Sequence, residues 1–211
     1  MPVLATQPRT LADVIVPRRE RAWVWDITLA LAMSAFTAFC ARIAIPLPWT
    51  PVPITGQTLA VLLTGALLGP RRGALAMICY LVEGLLGLPV FALGRSAWSP
   101  SSMPGLPVIL GPTAGYLFSY PLAAALIGML AIHGWDRRPH TMLAAMLLSS
   151  ALILTCGYLW YTLIFALVAG QFTPWANLMN TVIPFIPGDI IKAMIAAGVL
   201  PGAWRLVRWS R

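Results

Sequence analysis

From residue 142 to residue 169 the chain carries no charged side chain. A lipid core offers no partners for backbone N–H and C=O groups, so a run of this kind inside a bilayer must satisfy them within itself, as a helix does. About 20 apolar residues cross the hydrocarbon core as a helix, and this run exceeds that. The rest of the 211 residues agrees with a membrane setting. Of them 59% are hydrophobic and only 9% charged, where a soluble domain carries about 25% charged. Six segments meet the length test, some narrowly: about 27–46, 55–69, 73–92, 112–133, 142–169 and 184–205. What remains is short connecting sequence, with no room for a soluble domain of typical size, about 100 residues.

The formal net charge of +8 is explained by topology rather than by nucleic acid. Basic residues cluster at Arg9, Arg18, Arg19 and Arg21, at Arg71 and Arg72, at Arg137 and Arg138, and at Arg205, Arg208 and Arg211. If six spans alternate, all four clusters fall on one side. By the positive-inside rule that side is cytoplasmic. The expected fold is thus an all-α integral membrane protein of six transmembrane helices with both termini cytoplasmic. Residues 1–25 are read as a basic cytoplasmic arm, with room for an amphipathic stretch on the membrane surface, and 26–211 as one membrane domain. The arm is polar before Asp26 and lacks the leading apolar core of a cleavable signal peptide. Segments near 47–54, 93–111 and 170–186 then face outward. Pro46, Pro48, Pro51 and Pro53 cannot continue a regular helix, so that stretch is an outer loop or a broken start to the second span.

Topology leaves Arg42, Arg95, Lys192, Glu83 and Asp189 unexplained. Ionisable groups in or beside spans cost about 2.5–3.5 kcal/mol each on insertion scales and default to functional candidates. All but Glu83 gather toward the outer side. Asp189 and Lys192, three apart, share one helix face; they are a structural ion pair or a polar ligand clamp. Pro187 and Gly188 just before them are expected to interrupt the helix and free N-terminal amides toward a polar ligand. Arg95 opens a long Pro/Ser/Gly-rich loop, the kind that serves as a lid or binding loop. Gln57, at the mouth of the second span, has an amide suited to a polar ring. Glu83 is read as neutral and bonded to a neighbouring helix.

Small residues recur four apart, at Gly65 and Gly69, Gly111 and Gly115, and Gly198 and Gly202, which lets helix backbones approach closely. Ala30, Ser34 and Ala38 fall on one face of the first span and are expected to form a docking surface for another membrane protein. Cys40, Cys79 and Cys156 are far apart in apolar stretches, with no metal-ligand spacing. His133 and His140 flank a cytoplasmic turn. No His-Glu-x-x-His, Gly-x-Ser-x-Gly or P-loop pattern occurs, so no catalytic residue, cofactor or metal site is expected, and the chain by itself is no ATP-driven pump.

Five blocks carry a more specific signal: Pro51-Val52-Pro53-Ile54-Thr55-Gly56-Gln57-Thr58, Gly65 to Gly73, Gly87-Leu88-Pro89-Val90-Phe91, Gly111-Pro112-Thr113-Ala114-Gly115-Tyr116-Leu117, and Pro187-Gly188-Asp189-Ile190-Ile191-Lys192-Ala193. In order and spacing, from about residue 27 to 205, they closely resemble the BioY family, the biotin-binding S components of energy-coupling factor (ECF) vitamin transporters. The resemblance implies a six-helix, multi-pass protein of a bacterial or archaeal inner membrane that captures biotin. It also implies partnership with a transmembrane coupling protein and two ABC-type ATPases. By similarity Gln57, Arg95, Asp189 and Lys192 fall on motif positions of the family's pocket, and the glycine-rich block around Tyr116 lines it. The family's helix-one docking motif is Ala-x-x-x-Ala, which Ala30-x-x-x-Ser34 approximates. Asp189 suits the ureido N–H donors of biotin; Lys192 or Arg95 suits its carboxylate. The alternatives are a solitary biotin transporter without an ATPase module, or a membrane-embedded enzyme.

Overall fold

The structure, a computed structural model, describes residues 10–15 and 22–209. Arg9, Arg18, Arg19, Arg21 and Arg211 lie outside the described residues. The chain runs α1 (Leu11–Ile15), α2 (Ala22–Ala41), β1 (Ala44–Leu47), β2 (Thr50–Thr55), α3 (Gln57–Leu68), α4 (Pro70–Leu85), α5 (Ala114–Ile132), α6 (Pro139–Ala169), α7 (Pro174–Thr181) and α8 (Ile186–Trp209). Among the described residues four helical stretches are long and apolar enough to cross a membrane: Trp23–Ala41, Ala114–Ile132, Pro139–Ala169 and Pro174–Val207. Gln57–Leu68 is a shorter apolar helix.

Local chemistry sets most element ends. Gly69, at φ 83°, ends α3 in a backbone conformation that costs glycine little, and Pro70 opens α4 where a missing N–H is harmless. Pro139 opens α6 in the same way, and Gly170 closes it in the left-handed region. The first span was expected to reach residue 46, yet α2 ends at Ala41. The proline-rich run after it is not a broken start to the next helix but a connecting segment with regular structure. It is an antiparallel hairpin pairing Ala44 with Thr55, Ile45 with Ile54 and Leu47 with Thr50, irregular between Ile45 and Leu47. A two-stranded hairpin has only edge strands, which tolerate residues without an N–H to donate.

Helix α5 is the centre of the bundle, packed on α3, α4 and α6, while α2 packs on α4 and α3, and α8 on α6. Glycines allow the closest crossings. A Cβ on Gly65 would lie 2.3 Å from the Ala124 carbonyl oxygen, and one on Gly115 only 2.2 Å from Trp160 Cβ. Gly198 and Gly202 differ: a Cβ there would meet nothing within 4 Å, so this pair closes no crossing inside the chain. Alanines fill much of the interior together with large side chains such as Tyr80, Phe91 and Met77, whereas Phe39, Leu159, Leu167 and Leu206 are exposed, as expected where the surrounding solvent is lipid.

The two ends of the bundle differ in kind. At one end the α3–α4 turn with Arg71 and Arg72 lies beside α1, the α5–α6 turn with Arg137 and Arg138 lies beside Trp204 of α8, and Gly69 sits close to both Thr10 and Ile132. Arg72 pairs with Asp13 of α1 and Asp26 of α2, each at 2.6 Å. Leu11 is buried, so α1 packs against α3 and α8. The hairpin, the loop between α4 and α5, and the start of α8 form the other end.

Two sequence expectations change here. Ala30 and Ser34 are fully buried, and Ala38 is half-buried against the core. The Ser34 hydroxyl donates to Glu83 Oε2 of α4 at 2.5 Å. The face carrying Ala30, Ser34 and Ala38 is therefore spent on packing α2 against α4 and is not a free docking surface. Its small residues satisfy the chain's own crossing, and the same contact supplies the neighbouring-helix partner expected for Glu83. Second, Pro187 and Gly188 do not interrupt a span. They form the first turn of α8, where proline needs no donor.

Candidate functional site

A cavity of about 250 Å³ opens at the hairpin end, bounded by β2, the start of α3, the loop between α4 and α5, the first turns of α5, and the start of α8. Its size lies near the lower bound of small-molecule clefts, about 300–1,000 Å³. All five residues singled out from the sequence, Gln57, Arg95, Tyr116, Asp189 and Lys192, line this one cavity. The docking candidates Ala30, Ser34 and Ala38 do not.

Each polar wall residue is held by partners behind it. Gln57 is 4% exposed. Its Nε2 donates to the Tyr80 hydroxyl at 2.5 Å, its Oε1 accepts from Thr55 Oγ1 at 3.2 Å, and Tyr80 donates onward to the Val90 carbonyl at 2.8 Å. A primary amide has two N–H donors and two acceptor lone pairs, so Gln57 keeps one donor and one acceptor for a ligand while its plane is fixed. Asp189, 7% exposed, accepts from Ser150 Oγ on Oδ2 and from Lys192 Nζ on Oδ1 at 3.2 Å. Lys192 also donates to Thr58 Oγ1 at 2.7 Å. The pair thus touches as its three-residue spacing required, and it spans α8, α3 and α6 at once. Behind it lies a void of about 10 Å³ bounded by Thr58, Ser150, Asp189 and Lys192 among others, so this cluster is the floor of the main cavity.

Arg95 stands apart. It is half-buried and lines the cavity, yet among the described residues its guanidinium makes no hydrogen bond or ion pair. The loop that presents it is ordered rather than irregular. Phe91 and Arg95 form an antiparallel bridge, as do Pro100 and Pro107, and Trp98 Nε1 donates to the Leu85 carbonyl at 2.8 Å. The apolar wall comes from Val52, Phe91, Leu117, Tyr120, Leu154 and Phe185. Tyr116 belongs to it too, anchored by its hydroxyl donating to the Thr181 carbonyl at 2.6 Å. Its ring is accommodated by Gly157 of α6, where a Cβ would lie 2.3 Å from ring carbons.

Sequence reasoning did not single out Tyr80, Thr58, Ser150, Tyr120 or Phe185. A signal existed for Tyr120: with Thr113 and Tyr116 it follows the three- and four-residue spacing of one helix face. Ser150 and Tyr80 gave none, because each reaches the site only through the packing of α6 or α4.

Fold and site together define a helical membrane protein with a small-molecule cavity, apolar on its walls and polar on its floor and rim, at one end of the bundle. The BioY family model matches residues 11–209, and the chain belongs to the BioY family. A protein of Rhizobium etli named biotin transporter BioY is 36% identical over 180 residues, 82% of this chain and 89% of its own length. The biotin transporter BioY of Rhodobacter capsulatus is 37% identical over 158 residues, 72% of this chain and 78% of its own. A crystal structure described as the S-component for biotin from an ECF-type ABC transporter shares the fold, with TM-score 0.69, 23% identity, and 89% of this chain and 95% of that one covered.

Proposed function

We propose that the chain takes up biotin, as the high-affinity membrane-embedded binding subunit, or S component, of an ECF-type vitamin transporter. Biotin is cargo here; no cofactor or catalytic step is invoked, and relatives covering most of the chain are named transporters. The observation that carries the reading is the cavity's division of labour. Asp189 and Gln57 offer fixed acceptors and a donor suited to a ureido ring. Tyr116, Tyr120 and Phe185 give apolar area for the thioether ring and chain. Among the described residues the Arg95 guanidinium has no hydrogen-bond or ion-pair partner, whereas Lys192 is committed to Asp189 and Thr58. Arg95 therefore takes the carboxylate and Asp189 the ureido N–H groups.

Six spans with both termini cytoplasmic fit the alternation of α2, α3, α4, α5, α6 and α8 and the basic residues at the end away from the cavity. The cavity then faces outward. The partners in this reading are a transmembrane coupling protein and two ABC-type ATPases, since the chain has no phosphate-binding loop of its own. Their contact surface lies elsewhere than the face of Ala30 and Ser34.

Isothermal titration of the purified protein with biotin tests the function, with stoichiometric, reversible binding of unmodified biotin as the expected result. Absence of binding by folded protein overturns it. Co-purification of ATPase subunits, followed by native mass spectrometry, separates the ECF assembly from a solitary transporter.

A further inference from the structure

Arg42 does not line the cavity, and the function above makes no use of it. It is the first residue after α2, and its neighbour Ile43 accepts the Gly56 N–H at 2.9 Å at the root of the hairpin. Its side chain reaches away from that root to the loop carrying Arg95. Arg42 Nη2 donates to the Pro89 carbonyl at 2.8 Å. Nη1 lies where a Cβ on Gly94 would come within 2.6 Å, so the guanidinium rests against the backbone at both ends of segment 89–94. That segment is a closed turn: Phe91 N–H donates to Arg95 O at 2.8 Å and Gly94 N–H to Phe91 O at 3.1 Å. Within it Leu93 has φ 60° and Gly94 φ 71°. A left-handed leucine is costly and persists only where its surroundings over-determine the backbone. On the inner side the turn is held by Tyr80, bonded to Val90, and by buried Phe91. On the outer side the contact is Arg42.

We infer that Arg42 is a positioning residue for Arg95: it clamps the turn from Pro89 to Gly94 and thereby fixes where the Arg95 guanidinium meets an anionic ligand group. The inference rests on the reading of Arg95 as the carboxylate site. A planar guanidinium suits the task because its forked donors can bond one carbonyl while the plane lies flat against a second backbone segment.

The test compares biotin with its uncharged methyl ester on wild type, Arg42→Met, Arg95→Met and the double variant, each checked for monodisperse elution. Contacts within one network couple energetically, and mutations acting through such a network shift binding by roughly two- to thirtyfold. Arg42→Met is expected to weaken biotin within that range and leave the ester nearly unchanged. The double variant should bind biotin no more weakly than Arg95→Met alone. Equal losses for both ligands, or losses that multiply in the double variant, overturn the inference. If Arg95→Met binds biotin like wild type, the carboxylate reading itself fails, an outcome visible without any Arg42 variant. Should Arg42→Met not fold, Gly94→Ala crowds the same guanidinium from the other side. It is expected to show the same selectivity for the charged ligand, and an unchanged ratio of the two affinities overturns the inference.

Discussion

Gly157→Ala adds one methyl group, and the structure makes its cost specific. The new Cβ would lie 2.3 Å from Tyr116 Cε1 and Cζ, where ordinary contact begins near 3.4 Å. The ring must therefore retreat by about an ångström, but its hydroxyl is tied to the Thr181 carbonyl at 2.6 Å and Phe185 stands beside it. Retreat breaks that hydrogen bond, worth about 0.5–1.5 kcal/mol, and overpacks the α5–α6 crossing at about 1–3 kcal/mol. Helix propensity returns about 1 kcal/mol on replacing glycine with alanine. The net loss is of the order of 0.5–3.5 kcal/mol. Because Tyr116 is a cavity wall, weakened biotin binding should accompany the lower melting temperature. Gly198→Ala is the matched control: beyond its own helical turn, a Cβ there meets nothing within 4 Å, so the same substitution should be neutral or mildly stabilising. Scanning fluorimetry in detergent and titration with biotin read both effects. Equal behaviour of the two variants would refute the packing argument.

Four further outcomes follow from the geometry. Asp189→Asn, Lys192→Met and the exchange of the two charges should each lower biotin affinity about ten- to a hundredfold, the cost of a lost bond to a charged group; wild-type affinity in the exchanged protein would mark the pair as a staple only. Ser34→Ala should lower the melting temperature by removing the Glu83 partner while biotin affinity holds, and Ser34→Trp should reduce folded yield rather than merely block assembly, because the site is fully buried. With the three native cysteines removed, Arg71→Cys and Arg138→Cys should resist an impermeant thiol reagent in sealed cells and Ser102→Cys should react; the reverse pattern would invert the topology. At the end with the paired arginines, burial pushes the Asp136 carboxyl above the usual aspartate value, and the Trp204 indole and Arg137 pull it back only in part. A carboxyl raised in the folded state stabilises most below its unfolded pKa, and that contribution is lost as pH rises through the folded value. Burial also opposes ionisation of Asp13, but its bonds with Arg72 and Thr10 win and lower its pKa, so its contribution is lost only as pH falls below the usual value. Mild acidification should therefore raise the melting temperature before stronger acid lowers it, and Asp136→Asn should abolish the rise.

The sequence made the long helices legible because lipid imposes one rule on everything that crosses it. An uninterrupted apolar run must be helical, and arginine pairs mark the turns between runs. Legibility ended where backbone chemistry changed. Prolines at 46, 48, 51 and 53 excluded a helix but did not reveal a hairpin, since a pairing register depends on which strand lies opposite. The face of Ala30, Ser34 and Ala38 shows a second limit. Small residues four apart announce a close helix crossing, but the spacing is the same whether the crossing helix is α4 or a separate protein. Glu83 held the missing information: a carboxyl in an apolar helix needs a partner, and Ser34 is the hydroxyl that meets it.

The same distinction explains what was readable in the site. Charged groups near apolar runs stand out because burial makes them costly, so Asp189, Lys192 and Arg95 were visible without any structure. The residues that aim them were not. Tyr80 fixes Gln57, and Ser150 and Thr58 hold the Asp189–Lys192 pair, yet a hydroxyl carries no such cost at its own position in the chain; Arg42 stood out as a charge, but its place against the turn before Arg95 did not. Those supports come from α4, α6, α3 and α2, which makes the cavity a product of the bundle as a whole. A ligand that bonds Asp189 must compete with or join the contacts of Lys192 and Ser150, so binding is felt directly by α8, α3 and α6. Arg95, by contrast, has no protein partner among the described residues to give up. An anionic group can be met there at little reorganisation cost, while any ligand group that bonds the polar floor would be coupled to the helices that surround it.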